Sequence, residues 1–170
     1  MKIKILLLAG ALSAFSSVGL GQSVPTFNQY SVKAEKVRNV QVNLRSHKDA
    51  RLFRTNLRRA AKKGVNFAGH YILTGWGCGT NCADYAIIDA RSGRVFFPRE
   101  LAGAGFGFCD LPDDAEPIVF RPDSRLVILS GFKGGDLEKD NSPCGVYYLE
   151  WTGTKLREIK FLQKKRREMP

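Results

Sequence analysis

The chain has 170 residues, with 27 Lys and Arg against 16 Asp and Glu, and a formal net charge of +11. That length suits one domain with one real core and is short for most Rossmann or barrel enzymes. With 44% hydrophobic and 25% charged residues, it is neither a disordered chain nor a polytopic membrane protein.

Residues 1–21 have the layout of a secretory signal peptide: Lys2 and Lys4, an apolar run from Ile5, and the small-x-small end Gly19-Leu20-Gly21. Ser13, Ser16, Ser17 and Gly19 weaken the stretch as a membrane span. Its removal leaves 149 residues at +9 and predicts a periplasmic or secreted protein. In an oxidising space thiols pair. Cys78, Cys82, Cys109 and Cys144 form an even set with three possible pairings. The expected pairs are Cys78–Cys82, closing a tight glycine-rich loop, and Cys109–Cys144, tying two acidic loops together. A four-cysteine zinc site would need a paired C-x-x-C spacing that this sequence lacks.

Residues 22–36 read as an N-terminal segment, residues 37–163 as a single β-rich domain, and residues 164–170 as a basic tail. Val40, Val42 and Leu44 alternate with Gln41 and Asn43, predicting a half-buried strand that begins near Val37. Ser46, three residues before Asp49, suggests a capping box that opens a helix over 47–63. Ala50, Phe53, Leu57, Ala60 and Ala61 form its apolar stripe, and Gly64 its stop. From Gly69 onward the period changes to two. Strands are expected near 70–76, 84–90, 94–97, 117–120, 126–130, 146–151 and 156–162, joined by short turns and two longer loops at 101–116 and 131–145. Strands so close in sequence favour antiparallel pairing. The fold class is therefore mainly β (α+β): a twisted antiparallel meander sheet or small sandwich, disulfide-stabilised, with one amphipathic N-terminal helix.

The run Asn66-Phe-Ala-Gly-His-Tyr71, followed by Trp76-Gly-Cys-Gly-Thr-Asn-Cys82 and Ile87-Ile-Asp-Ala-Arg-Ser-Gly93, resembles a group of small exported bacterial proteins of uncharacterised function. The resemblance spans about half of the mature chain and implies an amphipathic helix before the first run. It carries no activity with it. Phe120-Arg-Pro-Asp-Ser-Arg-Leu-Val-Ile-Leu-Ser130 is similar to the strand-turn-strand element of a TolB-type propeller blade. A full propeller needs at least four blades, so only a blade-like sheet is implied.

The loop Trp76, Gly77, Cys78, Gly79, Thr80, Asn81, Cys82 can serve two ends. Its glycines, held by a short disulfide, would expose backbone N–H groups able to bind an anion, or would simply permit a tight bridged hairpin. His70 opens an apolar strand. As an acid or base it would need a carboxylate such as Asp84 or Asp89; without one it is a hydrogen-bonded structural residue. No G-x-S-x-G elbow, H-E-x-x-H helix or paired-histidine metal spacing occurs. Asp136, Glu138 and Asp140 alternate like calcium-loop ligands, but the sixth-position glycine and the distal bidentate Glu are missing. No cofactor is expected.

Positive charge concentrates in residues 33–63 and in the tail. Arg51, Arg54, Arg58 and Arg59 lie on the polar side of the predicted helix, where they are either a solvated face or a site for an acidic protein or an anionic envelope component. Export makes nucleic acid an unsuitable partner, and no base-stacking aromatics interleave with the cations. The sequence thus points to an exported, non-catalytic binding module of the inhibitor or immunity type, favouring acidic partners. Two alternatives stand beside it. One is an enzyme acting on an envelope polymer through His70 and a carboxylate. The other is a structural protein held on an anionic envelope surface.

Overall fold

The computed structural model describes residues 23–105, 109–134 and 143–167. The predicted signal segment 1–21 and the candidate calcium ligands Asp136, Glu138 and Asp140 lie outside the described residues. Eight strands form one antiparallel sheet: β1 (Tyr71–Gly79), β2 (Cys82–Asp89), β3 (Val95–Phe96), β4 (Ala104–Gly105), β5 (Ile118–Phe120), β6 (Leu126–Phe132), β7 (Cys144–Trp151) and β8 (Leu156–Gln163). The order is β1-β2-β4-β6-β7-β8, with β3 paired to β2 and β5 to β6. The fold is mainly β with one α-helix, as the period of two implied, and it is a single open sheet rather than a sandwich of two. Both expected disulfides, Cys78–Cys82 and Cys109–Cys144, are present.

Alternation along β1 and β2 sorts side chains to two faces. Leu73, Tyr85 and Ile87 meet Val127, Leu129, Tyr147, Leu149 and Trp151 in one buried cluster, so the inner faces of the two halves of the sheet share a core. Ile72, Ala86 and Ile88 point the other way, into a second cluster with Ala50, Leu57 and Ala60. Each large apolar side chain so buried contributes about 1.5–3 kcal/mol. Between β7 and β8 the chains pass closely: a Cβ on Gly145 would stand 2.1 Å from the Leu162 carbonyl oxygen. Only glycine fits there.

Three expectations are corrected. The predicted strand over 37–44 joins no ladder, and Asn39 within it takes left-handed backbone with φ 54°. Val37, Val40, Val42 and Leu44 pack on the second cluster, and the segment bonds to the turn after β2 through Asn43 N–H to Gly93 O at 2.8 Å. Its alternation reports which side is covered, not a neighbouring strand. The predicted helix 47–63 divides into a single 3-10 turn, Lys48–Arg51, and α1, Arg54–Lys63. The break falls at Phe53 (φ −97°, ψ 19°), whose ring lies tilted against Trp76 with centroids 4.5 Å apart. The expected capping box at Ser46 is absent. His47 caps the turn instead, accepting from Asp49 N–H. The Ser46 hydroxyl donates to Asn43 O and accepts from Val95 N–H.

Residues 23–46 wrap the sheet as a strap. Arg125 N–H donates to Tyr30 O, Val32 N–H to Asp123 O, and Glu35 N–H to Gly69 O, all within 2.9 Å. The buried Ser124 hydroxyl adds contacts to Phe27 O and Tyr30 O. The basic tail is also fastened, through a bridge between Arg166 and Cys109 and through Asp110 N–H to Lys165 O at 2.8 Å.

Candidate functional site

Two regions gather chemistry. The first grows from the Asn66–Tyr71 run. The Asn66 side chain donates to Leu73 O and accepts from Leu73 N–H, at 2.9 and 2.8 Å, closing the free edge of β1. Ala68 and Gly69 both take left-handed backbone, with φ of 43° and 87°. For an alanine that conformation costs of order 1 kcal/mol and persists only where neighbours impose it. Here Ala68 N–H and Gly69 N–H are held by the carbonyls of Arg121 and Pro122. The turn delivers His70 to a point between two carboxylates. Nε2 lies 3.7 Å from Asp89 Oδ1, and Nδ1 lies 4.0 Å from Glu35 Oε1.

The surrounding groups are mutually locked. Arg91 grips Glu35 with two guanidinium nitrogens, and this bond holds the Glu35 carboxyl below the ordinary range. The Arg91 pKa rises for the same reason. Burial pushes Asp89 up, but hydrogen bonds from the Ser92 hydroxyl and the Arg91 backbone, with the nearby His70, outweigh it and leave its pKa lowered. The Tyr71 ring lies tilted beside His70, with centroids 4.3 Å apart, and burial raises its hydroxyl pKa. A cavity of about 360 Å³ opens here, lined by Glu35, His70, Tyr71, Arg91, Arg125 and Trp151 among others. The arrangement can donate and accept hydrogen bonds.

Asp84 is not part of it. It pairs in register with Trp76, five residue pairs from the Tyr71–Asp89 pair, which is roughly 16 Å along the strand. Its carboxylate accepts from Gly103 N–H at 2.7 Å, a loop-fixing role. Of the two carboxylates read from sequence as partners for His70, only Asp89 is close. Glu35 was not foreseen. It sits 35 residues away, and no local pattern links the two.

The second region is cationic. Arg51, Arg54, Arg58 and Arg59 are all exposed, and none has an ion pair among the described residues. Arg58, Lys62 and Lys63 form one wall of a trough of about 760 Å³, and Arg38 and its neighbours in segment 37–42 form the other. The acidic loop at 110–116 does not neutralise this face: its Asp113 faces Arg167 of the tail, at 3.6 Å. Leu52, at the head of the helix, is 74% exposed.

The β1–β2 tip divides. Trp76 belongs to the second core cluster, between Phe53 and Phe97. Gly77, Gly79, Thr80 and Asn81 are exposed, with Asn81 at φ 56° in a two-residue hairpin turn bridged by Cys78–Cys82. Gly77 and Gly79 lie in the ladder with Ala83 and Cys82 rather than in an open nest. Among the described residues no group of His, Cys, Asp or Glu is placed to hold a metal ion, and no helix is long and apolar enough to cross a membrane. No family model, curated protein or solved structure matches the chain.

Proposed function

We propose that this chain is an exported, non-catalytic binding module whose cationic trough receives an acidic segment of a partner protein. The observation that carries the reading is the disposition of charge. Arg38 stands on one wall and Arg58, Lys62 and Lys63 on the other, with no carboxylate of the described chain paired to any of them. Part of that charge serves the helix itself, since cations near a C-terminus offset the dipole by about 0.3–1 kcal/mol each. Arg38 lies outside the helix and gains nothing from this. A two-walled trough admits a protruding acidic loop or strand but not the flat array of a lipid surface. The two disulfides fit an oxidising compartment, where such a partner would be met.

The test compares a decaglutamate peptide with phosphatidylglycerol vesicles, using the mature chain. The peptide is expected to bind, to weaken steeply as salt rises, and to be lost in Arg58→Glu/Lys62→Glu while retained in Lys164→Glu/Lys165→Glu. Equal loss in both variants would reduce the trough to general charge. Vesicle binding in preference to peptide would replace the acidic partner with an anionic surface.

A further inference from the structure

Beyond this anionic reading, the two disulfides differ in what surrounds them. Cys109 and Cys144 are each 3% exposed and share a small core cluster with Phe132. The Cys144 sulfur lies 3.6 Å from Lys165 O, so the tail borders that bridge. Cys78–Cys82 stands instead at the projecting β1–β2 tip. Cys78 and its neighbours Gly77, Gly79, Thr80 and Asn81 are all exposed, and Cys82 is half-buried. The ladder accounts for this placement. Gly77 pairs with Ala83 and Gly79 with Cys82, so Cys78 is the extra residue of a β-bulge. A bulge leaves its extra residue out of the ladder and re-aims the side chain. The glycines on either side add no cover. The space beside Gly77 is open to 4 Å, and a Cβ on Gly79 would meet, beyond its chain neighbours, only the Cys82 sulfur, at 3.8 Å.

We propose that Cys78–Cys82 is a thiol–disulfide exchange site whose partner is a dithiol, while Cys109–Cys144 is a purely structural bridge. Exchange needs a thiolate to reach a disulfide sulfur, so access decides which bridge reacts. One thiolate of the partner attacks Cys78 Sγ, at the more exposed residue. The Cys78–Cys82 bond breaks, a mixed disulfide forms at Cys78, and Cys82 leaves as a thiolate that takes a proton. The second thiolate of the partner then attacks the partner sulfur bound to Cys78 and releases Cys78, which is protonated in turn. Two electrons and two protons have passed to the tip: the dithiol ends as a disulfide, and the bridge as two thiols. None of the described core clusters contains a residue of 78–82, so the fold survives the opening.

The buried bridge is the internal control. Dithiothreitol is added to the oxidised chain near neutral pH, aliquots are alkylated, and each cysteine is read by peptide mass spectrometry. Cys78 and Cys82 are expected to be alkylated at least about tenfold faster than Cys109 and Cys144. Urea below the unfolding transition should leave the first rate unchanged and raise the second, because only the buried pair needs the fold to open. The amide signals of β6 and β7 should persist once the tip pair is reduced. The trough stands apart from this test, since neither cysteine of the tip lines it. Equal rates at the two bridges, earlier reduction of Cys109–Cys144, or a tip rate that climbs with urea overturns the proposal.

Discussion

The two ends of β1 are held by opposite means. At its start, the Asn66–Tyr71 turn is fixed by side chains and borrowed carbonyls: Asn66 on Leu73, Ala68 and Gly69 on Arg121 and Pro122, His70 between Asp89 and Glu35. At its finish, Gly77, Gly79, Thr80 and Asn81 stand exposed, and a covalent bridge replaces packing. A strand end that meets the rest of the molecule can be ordered by hydrogen bonds. One that projects from it has few partners and is pinned to itself.

The comparison can be broken from either side. Asn66→Ala removes both bonds to Leu73 and leaves its backbone groups partly buried. A loss of about 2–3 kcal/mol is expected, read as a lower urea midpoint with unchanged slope. Removing the Cys78–Cys82 bridge by paired alanines frees only a short ring and should cost about 2 kcal/mol on loop entropy. Its effect on hydrogen exchange should stay at the tip. If exchange rises at His70 instead, the two ends are not independent. Asp89→Asn loses the Ser92 and His70 interactions and should cost about 1 kcal/mol near neutral pH.

Acid gives the mildest probe. Glu35 and Asp89 have folded pKa values below their ordinary 4.5 and 3.8. Their contribution is therefore complete above those ordinary values and disappears as pH falls through the lowered folded ones. Denaturant midpoints measured from pH 6 downward should drop below about pH 4.5, and the double variant Glu35→Gln/Asp89→Asn should flatten that limb. An unaltered limb would place the acid sensitivity elsewhere.

The period of two placed seven strands near their observed positions, because each has one face on a core. Strand β4 escaped notice. Two residues, Ala104 and Gly105, inside a glycine-rich loop carry no periodicity. Segment 37–44 misled for the converse reason: covering one side of a chain produces alternation whether or not a ladder forms. Helix 47–63 read correctly as an apolar stripe, since Phe53 packs on the same cluster as Ala50, Leu57 and Ala60, but the stripe cannot reveal the backbone break at Phe53. Of the His70 surroundings, the Asn66–Tyr71 run and Asp89 were legible. Glu35, Arg91 and Trp151 were not, since tertiary folding alone brings them together. The cations of the helix were plain in the sequence, but Arg38 as the opposing wall was not.

Ser124 fastens the strap through the carbonyls of Phe27 and Tyr30, and Gly93 accepts Asn43 so closely that a Cβ there would lie 1.8 Å from Gln41 O. Residues 27–43 leave the ribosome before their docking surfaces, which are made from chain that follows about 50 and 95 residues later. The segment must therefore wait, unattached, until those residues have been made. Docking of this segment should therefore begin only once the chain up to about residue 125 is available.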